Sequence, residues 1–130
     1  MAGLHAIGAR TVSMITPYER PLADKVVRYI EEEGVQVLDS IALEIKDNLE
    51  VGQRDPLLLL DDLKELQYER ADAIVLSACV QLPSLAAIEI AQDRTGKPVI
   101  STATCTAYAM LRALDLEPVA PVAGHILSGF

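Results

Sequence analysis

Apolar residues recur along this chain with two alternating periods. Four short runs have the length and character of strands: residues 11–16 (TVSMIT), residues 35–43, residues 73–76 (AIVL) and Val99-Ile100. Residues 73–76 are continuously apolar, as expected of a strand covered on both faces. Between the runs the spacing changes to the helical period. Leu22, Val26 and Ile30 follow Pro21 at i, i+4 and i+8, and Gly34 stands where a helix would stop. Asp55-Pro56 is a cap followed by proline, and Leu57, Leu60, Leu63 and Leu66 supply the apolar side of the helix expected after it. Ser84 is positioned to cap a helix carrying Leu85, Ile88 and Ala91 and ending at Gly96. After Val99-Ile100, the hydroxyls of residues 101–104 offer caps for a last helix with Ala107, Leu111 and Leu114 inward. The tail from Pro118 reads as an extended segment.

The resulting order is βαβαβαβα. Alternation of this kind predicts an α/β fold: a four-stranded parallel sheet between helical layers, in a three-layer αβα arrangement. Neither an internal repeat nor a composition break divides the chain, so residues 1–130 read as one domain.

Composition narrows the function classes. The chain is 51% hydrophobic with one Phe and no Trp, so the core is expected to be aliphatic. The net charge is −8, with no basic face for nucleic acid. Acidic runs such as Glu31-Glu32-Glu33 and Asp61-Asp62 read as solvated helix faces. An anionic ligand would have to be held by local N–H and O–H donors against the overall field. The opening residues have no basic segment followed by a long apolar stretch, and no run approaches the roughly 20 apolar residues that span a bilayer. The expectation is a cytoplasmic, membrane-free protein with free thiols at Cys79 and Cys105.

Open parallel sheets bind ligands at the carboxyl ends of their strands. The residues just beyond those ends are Thr16, Pro17 and Tyr18; Lys46, Asp47 and Asn48; Ser77, Ala78 and Cys79; and Ser101 and Thr102. Thiol, phenol, amide and hydroxyls near helix N-termini make a plausible site for a small anion. Cys79 is the most informative of them, because a thiol near a helix N-terminus gains thiolate character. The competing reading is a small buried residue at a strand end. Cys105, among Ala and Thr in the last helix, reads as core. Tyr18 reads either as a site residue or as an aromatic covering the sheet, and Asn48 either as a ligand or as a turn residue. His5 and His125 have no partners at metal-ligand spacing, and no glycine-rich nucleotide loop occurs.

The segment Leu76-Ser77-Ala78-Cys79-Val80-Gln81-Leu82-Pro83-Ser84-Leu85 resembles the stretch around the second catalytic cysteine of maleate cis–trans isomerases, in the aspartate/glutamate racemase superfamily. Ile15-Thr16-Pro17-Tyr18 resembles their Thr-Pro-Tyr turn, Asp47-Asn48-Leu49 with Val51-Gly52 their Asn-bearing loop, and Lys97 to Thr104 the strand and helix start that follow. The resemblance implies one lobe of a two-lobed fold, each lobe giving one cysteine to the cleft between them. It implies a cofactor-independent isomerase acting on a small dicarboxylate. Cys79 and Tyr18 would be catalytic, with Cys79 as the second-lobe acid/base; Tyr18 with Asn48 would bind and polarise a carboxylate, and Thr16 and Val80 would line the substrate. It covers nearly the whole chain but only the second lobe, with an end that looks natural at residues 127–130. The chain is then a fragment or excised domain without activity by itself, or the first-lobe nucleophile comes from a separate first-lobe chain or from a second copy in a homodimer. A racemase or decarboxylase of the same superfamily, or a non-catalytic binding remnant, are the alternatives.

Overall fold

The computed structural model describes residues 1–77 and 82–130. Its strands are β1 (Thr11–Thr16), β2 (Gln36–Ala42), β3 (Ala73–Leu76) and β4 (Val99–Ser101). All pairings are parallel, in the order β2-β1-β3-β4. The helices are α1 (Ala2–Ala6), α2 (Arg20–Glu32), α3 (Asn48–Gln53), α4 (Leu58–Asp62), α5 (Leu85–Thr95) and α6 (Thr102–Ala113). Short 3-10 turns follow at Leu63–Glu65 and His125–Leu127. The α/β, three-layer expectation holds.

Successive strand residues point to opposite faces, and this builds the layers. Ile15, Ile74, Leu76 and Val99 face a core closed by Leu59 and Leu60 of α4, Leu63, and Ala87, Ile88 and Ala91 of α5. Their neighbours Met14, Val75 and Ile100 face the other core, closed by Leu4 of α1, Ile30 of α2 and Ile126 of the tail. Because both faces of β3 are buried, its sequence is apolar without alternation. At the amino end of the sheet, the Asp72 carboxylate accepts the Arg10 and Thr11 N–H groups at 2.8 and 3.1 Å. These bonds, the Arg10 one foremost, hold its pKa below the ordinary carboxylate value.

Several helix faces are rotated from the sequence expectation. Leu22 is 48% exposed, and the inward side of α2 is Ala23 and Ile30 with Val26 and Val27 half-buried. The helix begins at Arg20, so Pro21 lies inside the first turn, where a missing N–H is harmless. Leu57 points out because residues 55–58 form a turn, in which Asp55 Oδ1 accepts the Leu57 N–H at 2.9 Å. The inward set after it is Leu59, Leu60, Leu63 and Leu66. Leu85 and Leu114 are also outward, and the Ser84 side chain makes no cap bond; its carbonyl instead accepts the Ala87 N–H. The second strand is shorter at both ends than residues 35–43. The tail, expected to be extended, pairs Val119 with Ser128 and inserts Ile126 and Leu127 into the core.

Gln92 fastens that tail: its Oε1 accepts the Val99 N–H at 3.1 Å and the His125 N–H at 2.9 Å. Gly124 sits beside it at φ 81°, where a methyl group would lie 2.6 Å from Ile88 Cγ2 and 3.2 Å from the Val99 carbonyl oxygen. Gly124→Ala therefore combines backbone strain with overpacking. Chemical denaturation should find it destabilised by about 1–3 kcal/mol, while Gly96→Ala, with open space around it, loses less.

Candidate active site

The strand order reverses between β1 and β3: the chain leaves β1 for β2 on one side and returns from β2 to β3 on the other. The connections therefore diverge at the carboxyl ends of β1 and β3, the point at which open parallel sheets form their ligand crevice. Thr16, the last residue of β1, is fully buried, and its Oγ1 has no hydrogen-bond partner among the described residues. Its carbonyl accepts the Leu43 N–H at 2.8 Å. The next two carbonyls, of Pro17 and Tyr18, accept the N–H groups of Ile45 (2.9 Å) and Glu44 (3.2 Å). The Thr-Pro-Tyr turn is thus zipped to the segment leaving β2. Tyr18 is half-buried and packs beside Ile41, Leu43 and Ile45 against the α4/α5-side core.

Glu44 makes this joint possible. It holds φ 54°, a conformation that few non-glycine residues adopt, and its Oε1 accepts the Arg20 N–H at the start of α2 (3.3 Å). The chain then reaches Asp47, whose Oδ1 caps α3 by accepting the Leu49 N–H at 2.9 Å. Asn48 is the first residue of α3 and is exposed. It is a helix residue, not part of a simple turn. On the other side of the crevice Ser77 is buried at the end of β3, its N–H bonded to the Ile15 carbonyl at 2.8 Å. Of the expected site residues, the structure gathers Thr16, Tyr18 and the loop leading to Asn48 at one end of the sheet. Cys79 and Val80 lie outside the described residues.

Cys105 lies on the opposite face of the sheet from Tyr18. It sits on α6 against Gly3 of α1, beside a largely apolar cavity of about 550 Å³ that extends from α1, α2 and α6 to Ser77 and Ser101 at the ends of β3 and β4. Desolvation pushes its thiol up to about 11. Such a group stays protonated near neutrality and is a poor nucleophile, as the core reading of Cys105 implies. Ser101 closes the start of α6 with a capping box, its Oγ accepting the Thr104 N–H at 3.2 Å while Thr104 Oγ1 accepts the Ser101 N–H at 2.9 Å.

The sequence reading missed Glu44. A lone glutamate after a strand carries no local signal for a left-handed backbone, and its bond to Arg20 spans a separation that no periodicity marks.

The fold is that of a known class. The arylmalonate decarboxylase family profile matches residues 1–127, and the chain belongs to that family. It is 56% identical to the maleate isomerase of Alcaligenes faecalis over 126 residues, and 50% identical to that of Geobacillus stearothermophilus over 127. These matches take in 97% and 98% of the chain. The chain spans about half the length of the curated relatives it matches. Among solved structures, it superposes with a TM-score of 0.95 on a cysteine-to-alanine variant of a Pseudomonas putida maleate isomerase with maleate, at 49% identity, covering 98% of this chain and 51% of that one. A Nocardia farcinica maleate cis–trans isomerase, a cysteine-to-serine mutant with a covalently bound succinylcysteine intermediate, gives 0.93 at 46% identity, covering 96% and 51%. Arylmalonate decarboxylase gives 0.85 at 25% identity, covering 98% of this chain and 57% of that chain. Among the described residues no helix is long and apolar enough to cross a membrane.

The thiol at Cys105 supplies a direct check on its own placement against α1. Its folded pKa is raised above the ordinary value of 9.0, so its contribution to stability is present below pH 9 and lost as pH rises towards 11. Alkylation at Cys105, followed by peptide mass mapping, should be slow at pH 8 and accelerate towards pH 11. Denaturation curves should show part of the alkaline loss of stability disappearing in Cys105→Ala.

Proposed function

We propose that this chain carries one half of a maleate cis–trans isomerase site, on a single domain corresponding to the second lobe of that enzyme. One observation carries the reading. The turn holding Thr16 and Tyr18 is hydrogen-bonded to the segment that leads to Asn48, across the switch point from Ser77. In the sequence Cys79 follows Ser77 by two positions. The identities of 46–56% to maleate isomerases, against 25% to arylmalonate decarboxylase, favour isomerisation over decarboxylation.

The chemistry follows from the obstacle. A carbon–carbon double bond does not rotate, whereas a single bond does. A thiolate adding to one alkene carbon forms a C–S bond, and the π pair moves to the neighbouring carbon, next to a carboxylate. The phenol of Tyr18 and the amide of Asn48 donate hydrogen bonds to that carboxylate and stabilise the developing charge. The Cys79 thiol gives its proton to the carbon, and the adduct is a succinyl thioether. Rotation about the C–C bond, return of the proton to Cys79 and expulsion of the first thiolate yield fumarate. Thr16 and Val80 line the bound dicarboxylate. The two thiols account for every bond formed and broken and for the proton, so the steps as written call on no cofactor.

Cys79 supplies one of the two thiols. The other belongs to a first lobe, and a second copy of this chain about a two-fold axis is one arrangement that could supply it; isologous dimers are the commonest oligomers. A maleate-binding domain without turnover is the second reading, on the same hydrogen-bonded Thr16–Tyr18 turn.

Proton NMR of maleate incubated with the reduced protein distinguishes these. The isomerase reading expects the fumarate vinyl signal to grow, and Cys79→Ser to lower the rate at least about a hundredfold. Line broadening of maleate without fumarate supports the binding domain. Neither turnover nor broadening contradicts both. Sedimentation of the same sample should show a dimer if the second thiol comes from another copy; an active monomer would sink that arrangement.

A further inference from the structure

The geometry points to Arg54 as a positioning residue that acts through α3 on Asn48, by clamping that helix to α4. The inference rests on the reading of Asn48 given above. Three observations build it. First, α3 is a six-residue helix, too short to hold itself in water, and its one buried residue is Val51. Beside it lies a hollow of about 670 Å³, lined by Leu43, Ile45, Leu49 and Leu58, so packing on that side is incomplete. Second, Arg54 is the residue that ends α3, and its Nη2 donates to Asp62 Oδ2 at 2.8 Å. The side chains are 16% and 21% exposed, unlike the other ion pairs among the described residues, in which every partner is at least 49% exposed. Solvent screens this pair far less than those. Third, Asp62 ends α4, whose Leu59 and Leu60 are anchored in the core. The clamp therefore joins a weakly packed element that carries a site residue to a firmly packed one that does not.

Arg54 Nη1 is buried with no partner among the described residues. The guanidinium is thus held through one of its two terminal nitrogens. A lysine at this position keeps the charge and the contact with Asp62 and leaves no second nitrogen stranded, so the conservative variant is expected to preserve the clamp.

The test is hydrogen exchange of the α3 amides in the full chain, with maleate affinity as a second readout. Arg54→Gln and Asp62→Asn should each raise exchange at residues 51–53 about tenfold, leaving β1 and β3 protected, and Arg54→Lys should restore most of the protection. Both charge-removing variants should weaken maleate binding several-fold. Placed on Asn48→Ala, Arg54→Gln should weaken it no further, which distinguishes action through Asn48 from general loosening. Unchanged exchange in α3 overturns the clamp, and additive loss on Asn48→Ala overturns its action through Asn48. If Arg54→Gln fails to fold, Asp62→Asn decides the same point. Absence of maleate binding by the unsubstituted chain overturns the reading of Asn48; the exchange rates still decide the clamp by themselves.

Discussion

Everything in this molecule depends on the parallel order of its sheet. With β1 and β3 in the centre and both faces covered, the strand interiors are mostly aliphatic, and the buried Ser13 hydroxyl of β1 donates to the Gln67 carbonyl oxygen. Hydrophobic burial of Met14, Ile15, Ile74, Leu76 and Ile88 fixes the register, and the register fixes where each strand ends. Because all strands point the same way, each exit delivers its loop to one edge. Reversal of strand order at β1/β3 then makes their ends the switch point, so the position of the candidate site is a consequence of the core.

The acidic chain makes that edge demanding. At −8, its overall field disfavours an anionic ligand, so the proposed dicarboxylate would depend on oriented donors close to it. The hydrogen bonds from residues 43–45 to residues 16–18 fix the Thr-Pro-Tyr turn, and the left-handed Glu44 is the bend that allows them. A backbone in a rarely populated region, stabilised by its own side chain on the start of α2, is the kind of strain that persists where the surroundings over-determine it.

Much of this was legible in the sequence. Residues 11–16 and 73–76 form strands over the expected spans, because a short apolar run between polar residues has few alternatives. The alternation of strands and helices implied the parallel sheet, and the strand ends led to Thr16, Tyr18, Asn48 and Ser77. Helix faces were less legible. A stripe such as Leu22, Val26, Ile30 has a neighbouring stripe one residue over, and the small Ala23, which is fully buried and lets α2 approach the sheet, decided between them. Bonds between residues distant in sequence were not legible at all: Arg54 with Asp62 crosses a proline turn, and Glu44 with Arg20 crosses a strand and a helix. The two thiols have separated in meaning. Cys105 is a desolvated core group on the α6 side, whereas Cys79 follows the strand end at the switch point in sequence.

The central claim is that a small dicarboxylate binds at the β1/β3 crevice of this half-length chain. The most direct measurement is a titration of the labelled protein with maleate, followed by backbone amide NMR shifts. The account predicts saturable shifts at Thr16, Tyr18 and residues 43–48, with the amides around Cys105 unmoved. Shifts centred on the cavity between α1, α2 and α6, or no saturable shift anywhere, would contradict it.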